Sequence, residues 1–456
     1  MTAGAAPLRW WLTARDGGAR LQEQPAPAGG SHPDAARLHV DTSRRFQTLE
    51  GFGGAFTEAA ASVWQRLSPP QQQAFLRDCF DPQHGHGYTL CRVHINSCDF
   101  SLGHYAHADA SGDTALQHFS IARDRQHLLP MIQAAQRVAG RPLKLLASPW
   151  SPPAWMKSNR QMADGGHLLP QYRAAWAQCF VRFIQAYADE GVPIWGVTVQ
   201  NEPEARQRWD SCLYTAEEER DFVRDHLGPA LHGAGLGHVR IVVWDHNRDA
   251  MVERASTILG DPAAARYVWG TGFHWYLEDH FHHVQLVHDA WPDKGLLFTE
   301  GCQEGGPHHG SWALGERYAR SMVNDLNRWT AGWIDWNLLL DEHGGPNHVG
   351  NFCSAPVLAE PAADALHHQS SFWYLGHFAR FIQPGAERVL CAATREALEC
   401  TAFINPDHSC AVVAMNRGDD ALPFNLAIDG ARHALALPAR SIATLLRPAP
   451  VSPALP

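Results

Sequence analysis

Residues Ile194–Val199, with the sequence IWGVTV, form an apolar run of β type between two stretches with helical periodicity. The stretch before it, Tyr172–Glu190, and the stretch after it, Ala216–Leu227, are both amphipathic at the spacing of an α-helix. Parallel strands need a long crossover connection, usually a helix, so a strand flanked by helices predicts a parallel sheet. The segment therefore indicates an α/β fold.

The same alternation of strand and helix extends from about residue 50 to residue 380. Eight strand–helix units with right-handed crossovers close into a (β/α)₈ barrel, a fold that commonly uses about 250 residues. An open sheet of six or seven strands is the alternative, but the first unit lacks a phosphate-binding loop. The eight predicted strands are Gly51–Phe56, Thr89–Ile95, Leu143–Ala147, Ile194–Val199, Val239–Trp244, Val268–Phe273, Gly295–Phe298 and Ala331–Asn337.

The two ends of the chain have a different pattern. Residues 1–50 are rich in Pro, Gly and Ala and contain two short strand-like pieces, Leu8–Thr13 and Arg37–Val40. Beyond residue 385, short alternating strands follow one another without a helix, which is typical of a small antiparallel sandwich. We predict N-terminal strands (1–50) that complete the sandwich, a barrel (51–384) and a C-terminal β-sandwich (385–456). The C-terminal strands are predicted at Val389–Ala392, Leu398–Ile404, Ala411–Asn416 and Ile442–Leu446.

Composition excludes several classes of protein. The formal net charge of −10 argues against a nucleic-acid partner and against binding to an anionic membrane surface. No apolar stretch approaches the roughly 20 residues of a membrane-spanning helix. The N-terminus has no charged start followed by an apolar run, so we expect a cytoplasmic protein, or a secreted or periplasmic one if a leader has been removed.

Cysteine and histidine spacings give no metal signature. The ten cysteines include no C-x-x-C pair, so we predict no zinc knuckle, and we expect Cys98 and Cys302 to be free thiols. The disulfide state of the other cysteines is left open. The segment His84-Gly85-His86 resembles the metal-binding pair of barrel hydrolases, but it precedes the second strand instead of following a strand. We therefore predict no metal and no organic cofactor. A metal-dependent hydrolase is an alternative that sensitivity to chelators would distinguish.

Two predicted strands end in a carboxylate. The fourth is followed by Gln200-Asn201-Glu202-Pro203, and the seventh by Thr299-Glu300. The reacting groups of a (β/α)₈ barrel lie where strands end at its C-terminal face, so both carboxylates are expected at one rim. A glycosidase needs such a pair, one carboxyl to protonate the leaving oxygen and one to attack or to activate water. Aromatic and polar residues at four other strand ends, which suit sugar rings and hydroxyls, are Asp99, Trp150, the segment His274-Trp275-Tyr276, and Trp336.

The strand-end residues belong to an ordered set of motifs along the chain. These motifs are Gly51–Ala60, Ser97–Ser101, Leu146–Pro153, Gln200–Pro203, Phe273–Tyr276, Thr299–Cys302, Asp335–Leu338, Gly344–Asn347 and Asn351-Phe352. With this set the sequence resembles glycoside hydrolase family 30, and within it the glucosylceramidase branch. The resemblance covers residues 38–447, and it implies a (β/α)₈ barrel with a β-sandwich and a retaining mechanism.

The resemblance implies a role for each matching residue. Glu202 matches the family's acid/base, Glu300 matches its nucleophile, and Asn201 matches the residue that holds the substrate 2-hydroxyl. Glu202 is then expected to be protonated near the working pH. The other implied positions are Asp99, Trp150, Trp336 and Asn351 around the glucose, Arg92 and Tyr276 beside the carboxylates, and His274 and Trp275 behind the site or at its rim.

The sequence therefore predicts a retaining, exo-acting β-glucosidase that acts on a β-glucoside, a glucosylated lipid or an oligosaccharide. A β-xylosidase and an endo-β-1,6-glucanase of the same family are the alternatives, followed by an inactive carbohydrate-binding barrel. The loops after Glu204 and Cys302 look shorter than in lysosomal members of the family, so the aglycone is left open. The oligomeric state is left open as well.

Overall fold

The structure is a computed structural model that describes residues 7–27 and 30–449. Eight parallel strands form a closed barrel in which each strand pairs with its neighbours along the chain, and the eighth pairs with the first. All eight predicted barrel strands are present. Their bounds are Gly51–Phe56, Leu90–Ile95, Lys144–Pro149, Ile194–Thr198, Arg240–Asn247, Val268–His274, Gly295–Glu300 and Gly332–Asn337.

Helices follow the barrel strands and bury their apolar faces against the barrel. The predicted helix Ala216–Leu227 is present as Ala216–Phe222, which begins with a Thr215 capping box and continues into the π-helical turn Val223–Leu227. The other helices are Glu58–Gln65, Pro69–Phe80, Leu128–Ala139, Arg173–Asp189, Gly228–Gly233, Met251–Leu259, Pro262–Ala265, Phe281–Ala290, Trp312–Leu326 and Ser370–Ala379. No helix in the described part of the chain combines the length and apolarity needed to cross a membrane.

The ends of the chain form a second layer of strands in one nine-stranded sheet. Apolar side chains from both ends of this sheet share a single core, as in a β-sandwich. Both expected N-terminal strands take part: Arg9–Ala14 pairs with Ser441–Arg447, and Ala36–Thr48 pairs with Glu387–Ala393. The predicted fold class, a (β/α)₈ barrel with a sandwich built from both termini, is confirmed. The remaining sandwich strands are Gln22–Gln24, Leu398–Ile404, Cys410–Asn416, Leu422–Ile428 and Ala431–Leu437.

Two features of the sandwich differ from the expectation. The strands Leu422–Ile428 and Ala431–Leu437 were not predicted, because Pro423 and Asn425 interrupt the first and small Ala residues weaken the alternation of the second. Leu422–Ile428 also runs parallel to Ala36–Thr48, so the sheet is not purely antiparallel.

A small three-stranded sheet follows the eighth barrel strand and was also not predicted. It consists of Leu339–Asp341, Val357–Glu360 and Ala365–His368. Residues 342–356, between its first two strands, form a loop whose two ends are fixed by parallel pairing. This sheet therefore holds the loop at the C-terminal face of the barrel.

The two histidines of the His84-Gly85-His86 segment have different environments. The His84 side chain is largely exposed beside Asp81, whereas the His86 ring is buried and stacks on Phe372 at 4.0 Å between centroids. The His86 Nδ1 lies 3.1 Å from the Tyr88 hydroxyl.

His377 joins the barrel layer to the sandwich. It is fully buried on the helix Ser370–Ala379. Its Nδ1 lies 2.9 Å from the Thr444 hydroxyl, and its Nε2 lies 2.9 Å from the Thr13 hydroxyl. The Thr444 hydroxyl donates to the His377 carbonyl, so its oxygen accepts from Nδ1–H and Nε2 is left to accept from Thr13. This arrangement suits a neutral ring, and burial lowers the pKa of His377 to about 3.

We expect His377 to make the fold acid-sensitive. Its pKa is lower in the folded state than in the unfolded chain, so stability is present above about pH 6.5 and is lost as the pH falls toward about 3. Between about pH 6.5 and pH 5 this loss is about 2 kcal/mol. Urea unfolding at both pH values should show that His377→Gln loses about 2 kcal/mol less than the wild type. The exposed His84→Gln is the control, and an equal loss in all three proteins would contradict the prediction.

Candidate active site

The two predicted carboxylates meet at the C-terminal face of the barrel. Glu300 is the last residue of the seventh strand, and Glu202 follows the fourth strand. One oxygen of each carboxylate and a ring nitrogen of His274 all lie within 4.8 Å of one another. Both carboxylates line a cavity of about 140 Å³ at the mouth of the barrel.

Eight of the eleven predicted site residues line this cavity, and three do not. The eight are Asp99, Trp150, Asn201, Glu202, Tyr276, Glu300, Trp336 and Asn351. Arg92 and His274 are completely buried behind the carboxylates. Trp275, which was expected behind the site or at its rim, packs in the core against Tyr318, with 4.7 Å between ring centroids. Trp275 therefore does not line the cavity, although it was also named among the substrate-binding residues.

Arg92, on the second strand, connects the ends of four other strands. Its Nη1 lies 2.6 Å from Oε2 of Glu300, and its Nη2 donates to Asp245 at 2.7 Å and to Asn201 at 2.9 Å. Its Nε donates to the hydroxyl of Ser148 at 2.9 Å. Removing a guanidinium from water costs several kcal/mol unless opposite charges and acceptors replace the water, and here two carboxylates and two neutral oxygens do so.

Glu300 is held at both carboxylate oxygens. The Tyr276 hydroxyl donates to Oε1 at 2.7 Å, while Arg92 holds Oε2. Burial raises the pKa of Glu300, and the positive charges of His274 and Arg92 oppose that rise. The carboxylate is therefore fixed in orientation by two donors from different strands.

His274 lies between two carboxylates. Its Nε2 is 3.0 Å from Asp245 Oδ1, and its Nδ1 is 3.2 Å from Glu202 Oε1. Burial lowers the pKa of His274, but the charge of Glu300 and the contacts with Asp245 and Glu202 outweigh burial and raise it to about 9. The ring is thus positively charged at neutral pH, and it continues a chain of alternating charge from Arg92 through Asp245 to Glu202.

Glu202 has a different electrostatic environment from Glu300. Burial raises its pKa, but His246 and His274 outweigh burial, so the pKa lies below its ordinary value. The protonated Glu202 expected from the sequence stays a prediction, and the charged ring of His274 offers a proton 3.2 Å from Glu202 Oε1. The backbone of Glu202 has φ of +47°, uncommon for a residue with a side chain, and its N–H donates to the Asp245 carbonyl at 3.0 Å.

The remaining lining groups suit a sugar. The indole rings of Trp150 and Trp336 stack with centroids 5.0 Å apart, and Arg92 lies over the Trp150 ring at 4.7 Å. Asp99 Oδ2 accepts from the side-chain amides of Asn347 at 3.2 Å and Asn351 at 3.1 Å. Burial raises the pKa of Asp99 to about 7, although the two amides oppose the rise. The cavity thus combines aromatic faces with a carboxyl group that can bind hydroxyls.

Sequence reasoning missed Asp245 and His246 because the predicted fifth strand ends at Trp244, just before them. The pairing register of that strand shifts between Trp244 and His246, and φ is positive at Trp244 and Asp245. This β-bulge places Asp245 against Arg92 and His246 at the cavity wall. The rule applied to the other strand ends would have found both residues. Other lining residues that were not predicted are Gln207, Trp209, Asn247, Cys302, Glu304 and Cys353.

Cys98 and Cys302 are free thiols, as expected, and so are the other eight cysteines. Cys302 and Cys353 both line the cavity, and the Cys302 Sγ lies 3.6 Å from the Tyr276 hydroxyl. Burial raises the pKa of Cys302 well above its ordinary value, so the thiol is neutral beside Glu300.

Comparison with known proteins agrees with this geometry. The family model described as glycosyl hydrolase family 30 TIM-barrel domain matches residues 49–382, and that of the family's beta sandwich domain matches residues 385–445. The lysosomal acid glucosylceramidase of Mus musculus is 37% identical over 409 residues, which are 85% of this chain and 79% of the relative.

Two solved structures superpose on both the barrel and the sandwich of this chain. SrfJ from Salmonella typhimurium superposes with a TM-score of 0.93 at 37% identity, over 97% of this chain and 99% of SrfJ. The endo-β1,6-glucanase BT3312 superposes with a TM-score of 0.87 at 27% identity, over 97% of this chain and 100% of that one. The resemblance seen in the motifs is confirmed, and this chain belongs to glycoside hydrolase family 30.

Proposed function

We propose that the chain is a retaining, exo-acting β-glucosidase that removes terminal β-D-glucosyl residues through a covalent glycosyl-enzyme intermediate. The observation that carries the proposal is the approach of Glu202 and Glu300, with one oxygen of each within 4.8 Å. Retaining glycosidases have carboxyl groups about 5–5.5 Å apart, whereas inverting enzymes need about 6.5–9.5 Å to admit a water molecule.

The surroundings of the carboxylates support different roles for them. Glu300 is bound to Arg92, a cation that cannot lose its proton and that favours the anionic form needed to attack the anomeric carbon, although burial leaves the pKa of Glu300 above its ordinary value. Glu202 contacts His274, a cation that can lose its proton. In the first step Glu300 forms a bond to the anomeric carbon, the bond to the leaving oxygen breaks, and that oxygen receives a proton from Glu202.

The proton for that step is shared by Glu202 and His274. In the free enzyme it resides on the imidazole, and it crosses the 3.2 Å from Nδ1 to Oε1 before the leaving oxygen takes it. In the second step Glu202 accepts a proton from water, whose oxygen attacks the anomeric carbon and frees Glu300. The second displacement restores the β-configuration of the sugar.

The size of the cavity supports action at a chain end. A cavity of about 140 Å³ is well below the roughly 300–1,000 Å³ of pockets that enclose drug-sized ligands, so it suits one sugar ring. Trp150 and Trp336 offer aromatic surface to that ring, and Asp99 offers a carboxyl group to its hydroxyls. An endo-acting enzyme would need a groove that continues on both sides of the cleaved bond.

The surface beside the cavity supports an apolar aglycone such as that of a glucosylated lipid. Leu277 is 58% exposed and follows Tyr276, and Phe352 is 42% exposed between Asn351 and Cys353. Exposed apolar side chains adjoining a polar site commonly mark a surface that contacts an apolar ligand.

The anomer of an azide product should report which carboxylate has been removed. Glu300→Gly lacks the nucleophile, so turnover should fall to near background, and azide in the vacated space should give the α-glucosyl azide by one displacement. Glu202→Ala keeps the nucleophile, so dinitrophenyl β-glucoside should form the intermediate and azide should release the β-glucosyl azide. The product anomers can be read by proton NMR.

Glu304→Ala is the matched control, because Glu304 is another glutamate that lines the cavity. It should hydrolyse the substrate without requiring azide. The same anomer from both test variants, or normal hydrolysis of poor leaving groups by Glu202→Ala, would contradict the assigned roles.

Asp99 should set the preference for glucose over xylose. Above about pH 7 the Asp99 carboxyl is ionised, since its pKa is about 7, and a hydrogen bond to a charged group contributes about 1.5–3 kcal/mol. Asp99→Ala should therefore lower kcat/KM for an aryl β-glucoside roughly ten- to a hundredfold in that pH range. The loss for the aryl β-xyloside should be smaller. Asp293→Ala, at an exposed position before the seventh strand, is the control. An unchanged ratio of glucoside to xyloside rates would show that Asp99 does not hold the distinguishing hydroxyl.

Leu277 and Phe352 should matter only for an apolar aglycone. Burying one such side chain stabilises a complex by about 1.5–3 kcal/mol, so Leu277→Ser and Phe352→Ser should each lower kcat/KM for a glucosylated lipid roughly ten- to a hundredfold. Methyl β-glucoside should be cleaved as by the wild type. Leu286→Ser removes an equally exposed leucine from the helix Phe281–Ala290 and should affect neither substrate. A higher rate on β-1,6-glucan than on the lipid would favour the glucanase alternative.

A further inference from the structure

We propose that His104, Asp210 and His348 form a binding site for a divalent cation of the zinc class, which joins three loops at the rim of the barrel. The three residues lie on the loops after the second, fourth and eighth barrel strands. One potential ligand atom from each lies within 4.8 Å of the other two. The sequence did not predict this site, because its members are separated by more than a hundred residues.

Two buried acceptors in this cluster face each other. His348 Nε2 lies 3.6 Å from Asp210 Oδ2, and neither atom has a hydrogen-bond partner among the described residues. The Asp210 side chain is fully buried, and that of His348 is 10% exposed. A buried polar atom without a partner typically costs about 1–3 kcal/mol of folding stability. A cation placed between these two atoms would remove that cost.

The protonation of His348 is set by its other nitrogen. Its Nδ1 lies 3.2 Å from the carbonyl oxygen of Ser101, which can only accept, so Nδ1 carries the hydrogen. Nε2 therefore presents a lone pair to Asp210 when the ring is neutral. A histidine that donates from one nitrogen to a backbone carbonyl is the usual form of a metal ligand.

Asp210 is also oriented as a ligating carboxylate. Its Oδ1 accepts from the Ser97 hydroxyl at 2.7 Å and lies 3.1 Å from His104 Nδ1, while Oδ2 is left toward His348. Lys157 is another positive group near Asp210, but its ammonium donates to the carbonyl oxygens of Met162 and Ser211. The carboxylate is therefore available to a cation.

The spacing and donor types suit zinc. Bonds of about 2.0–2.1 Å in a tetrahedron place ligand atoms about 3.3–3.5 Å apart, and the two contacts of Asp210 with the histidines, at 3.1 and 3.6 Å, bracket that value. The 3.1 Å contact joins His104 Nδ1 to Asp210 Oδ1 and the 3.6 Å contact joins His348 Nε2 to Oδ2, so each histidine faces its own oxygen of the carboxylate. Two imidazoles and one carboxylate leave a further position for water. Nitrogen donors favour zinc, cobalt or nickel over magnesium and calcium, which prefer oxygen.

The ion would hold the loops beside the substrate cavity in place and would take no part in the reaction. The backbone N–H of His348 donates to the Asp99 carbonyl at 3.3 Å, and the neighbouring Asn347 holds the Asp99 carboxyl. Trp209, which precedes Asp210, lines the cavity. A cation at this site would fix the loops that hold Asp99, while Glu202 and Glu300 act without it.

The test uses Zn²⁺ and Co²⁺ added to the full chain after treatment with a chelator. We expect the wild type to bind one equivalent of Zn²⁺ at this site by isothermal titration, with a melting temperature that rises with Zn²⁺ concentration. Co²⁺ should give the visible absorption of a four-coordinate ion. Asp210→Asn and His348→Gln should each weaken binding more than about a hundredfold, because loss of even an outer partner costs about 10–100-fold.

Two further variants make the result decisive. His282→Gln alters a second group of close histidines, His280, His282 and His283, and should leave the tight site intact. His104→Gln replaces a side chain that is 45% exposed, so it reports on the site even if the buried variants fail to fold. The proposal is overturned if the wild type binds neither ion, if His104→Gln binds as tightly as the wild type, or if only His282→Gln loses binding.

Discussion

The rest of the active site depends on the buried guanidinium of Arg92. A charge with no access to water is tolerated only where opposite charges replace the water, so Arg92 requires Glu300 and Asp245 to stay ionised beside it. The planar group reaches both carboxylates and Asn201 with separate N–H donors, which a lysine at the same position could not do. One side chain on the second strand thus fixes the ends of the fourth, fifth and seventh strands relative to one another.

The charges beyond Arg92 alternate outward through Asp245 and His274 to Glu202, and this order distinguishes the two catalytic candidates. Glu300 faces a cation with a permanent charge, whereas Glu202 faces an imidazolium that can transfer its proton. The two glutamates therefore differ in whether the neighbouring cation can supply a proton. The distinction rests on what each carboxylate touches, so it is independent of sequence resemblance.

The sequence was sufficient for features that arise from regular periodicity. All eight barrel strands and both carboxylates were predictable, because strand–helix alternation places strand ends on one face. The β-bulge at Asp245 and His246 was not predictable, since an inserted residue leaves no mark on the hydrophobic pattern, although both residues directly follow the predicted end of the fifth strand. Whether Trp275 lies behind the site or at its rim could not be decided from the sequence: neighbouring strand-end residues alternate in direction, so Tyr276 reaches the cavity while Trp275 enters the core.

Barrel ends and loops contribute to the site by different kinds of interaction. Replacing any one of the buried charged residues at the strand ends leaves a partner charge unpaired, which typically costs about 3–5 kcal/mol. The loop after the eighth strand instead contributes neutral amides, Asn347 and Asn351, which bond to Asp99 and whose loss costs less. The charged residues at the strand ends can therefore change only together, whereas the loop residues can change singly. Substrate preference is consequently free to vary in the loops while the arrangement of the two carboxylates stays fixed by the barrel.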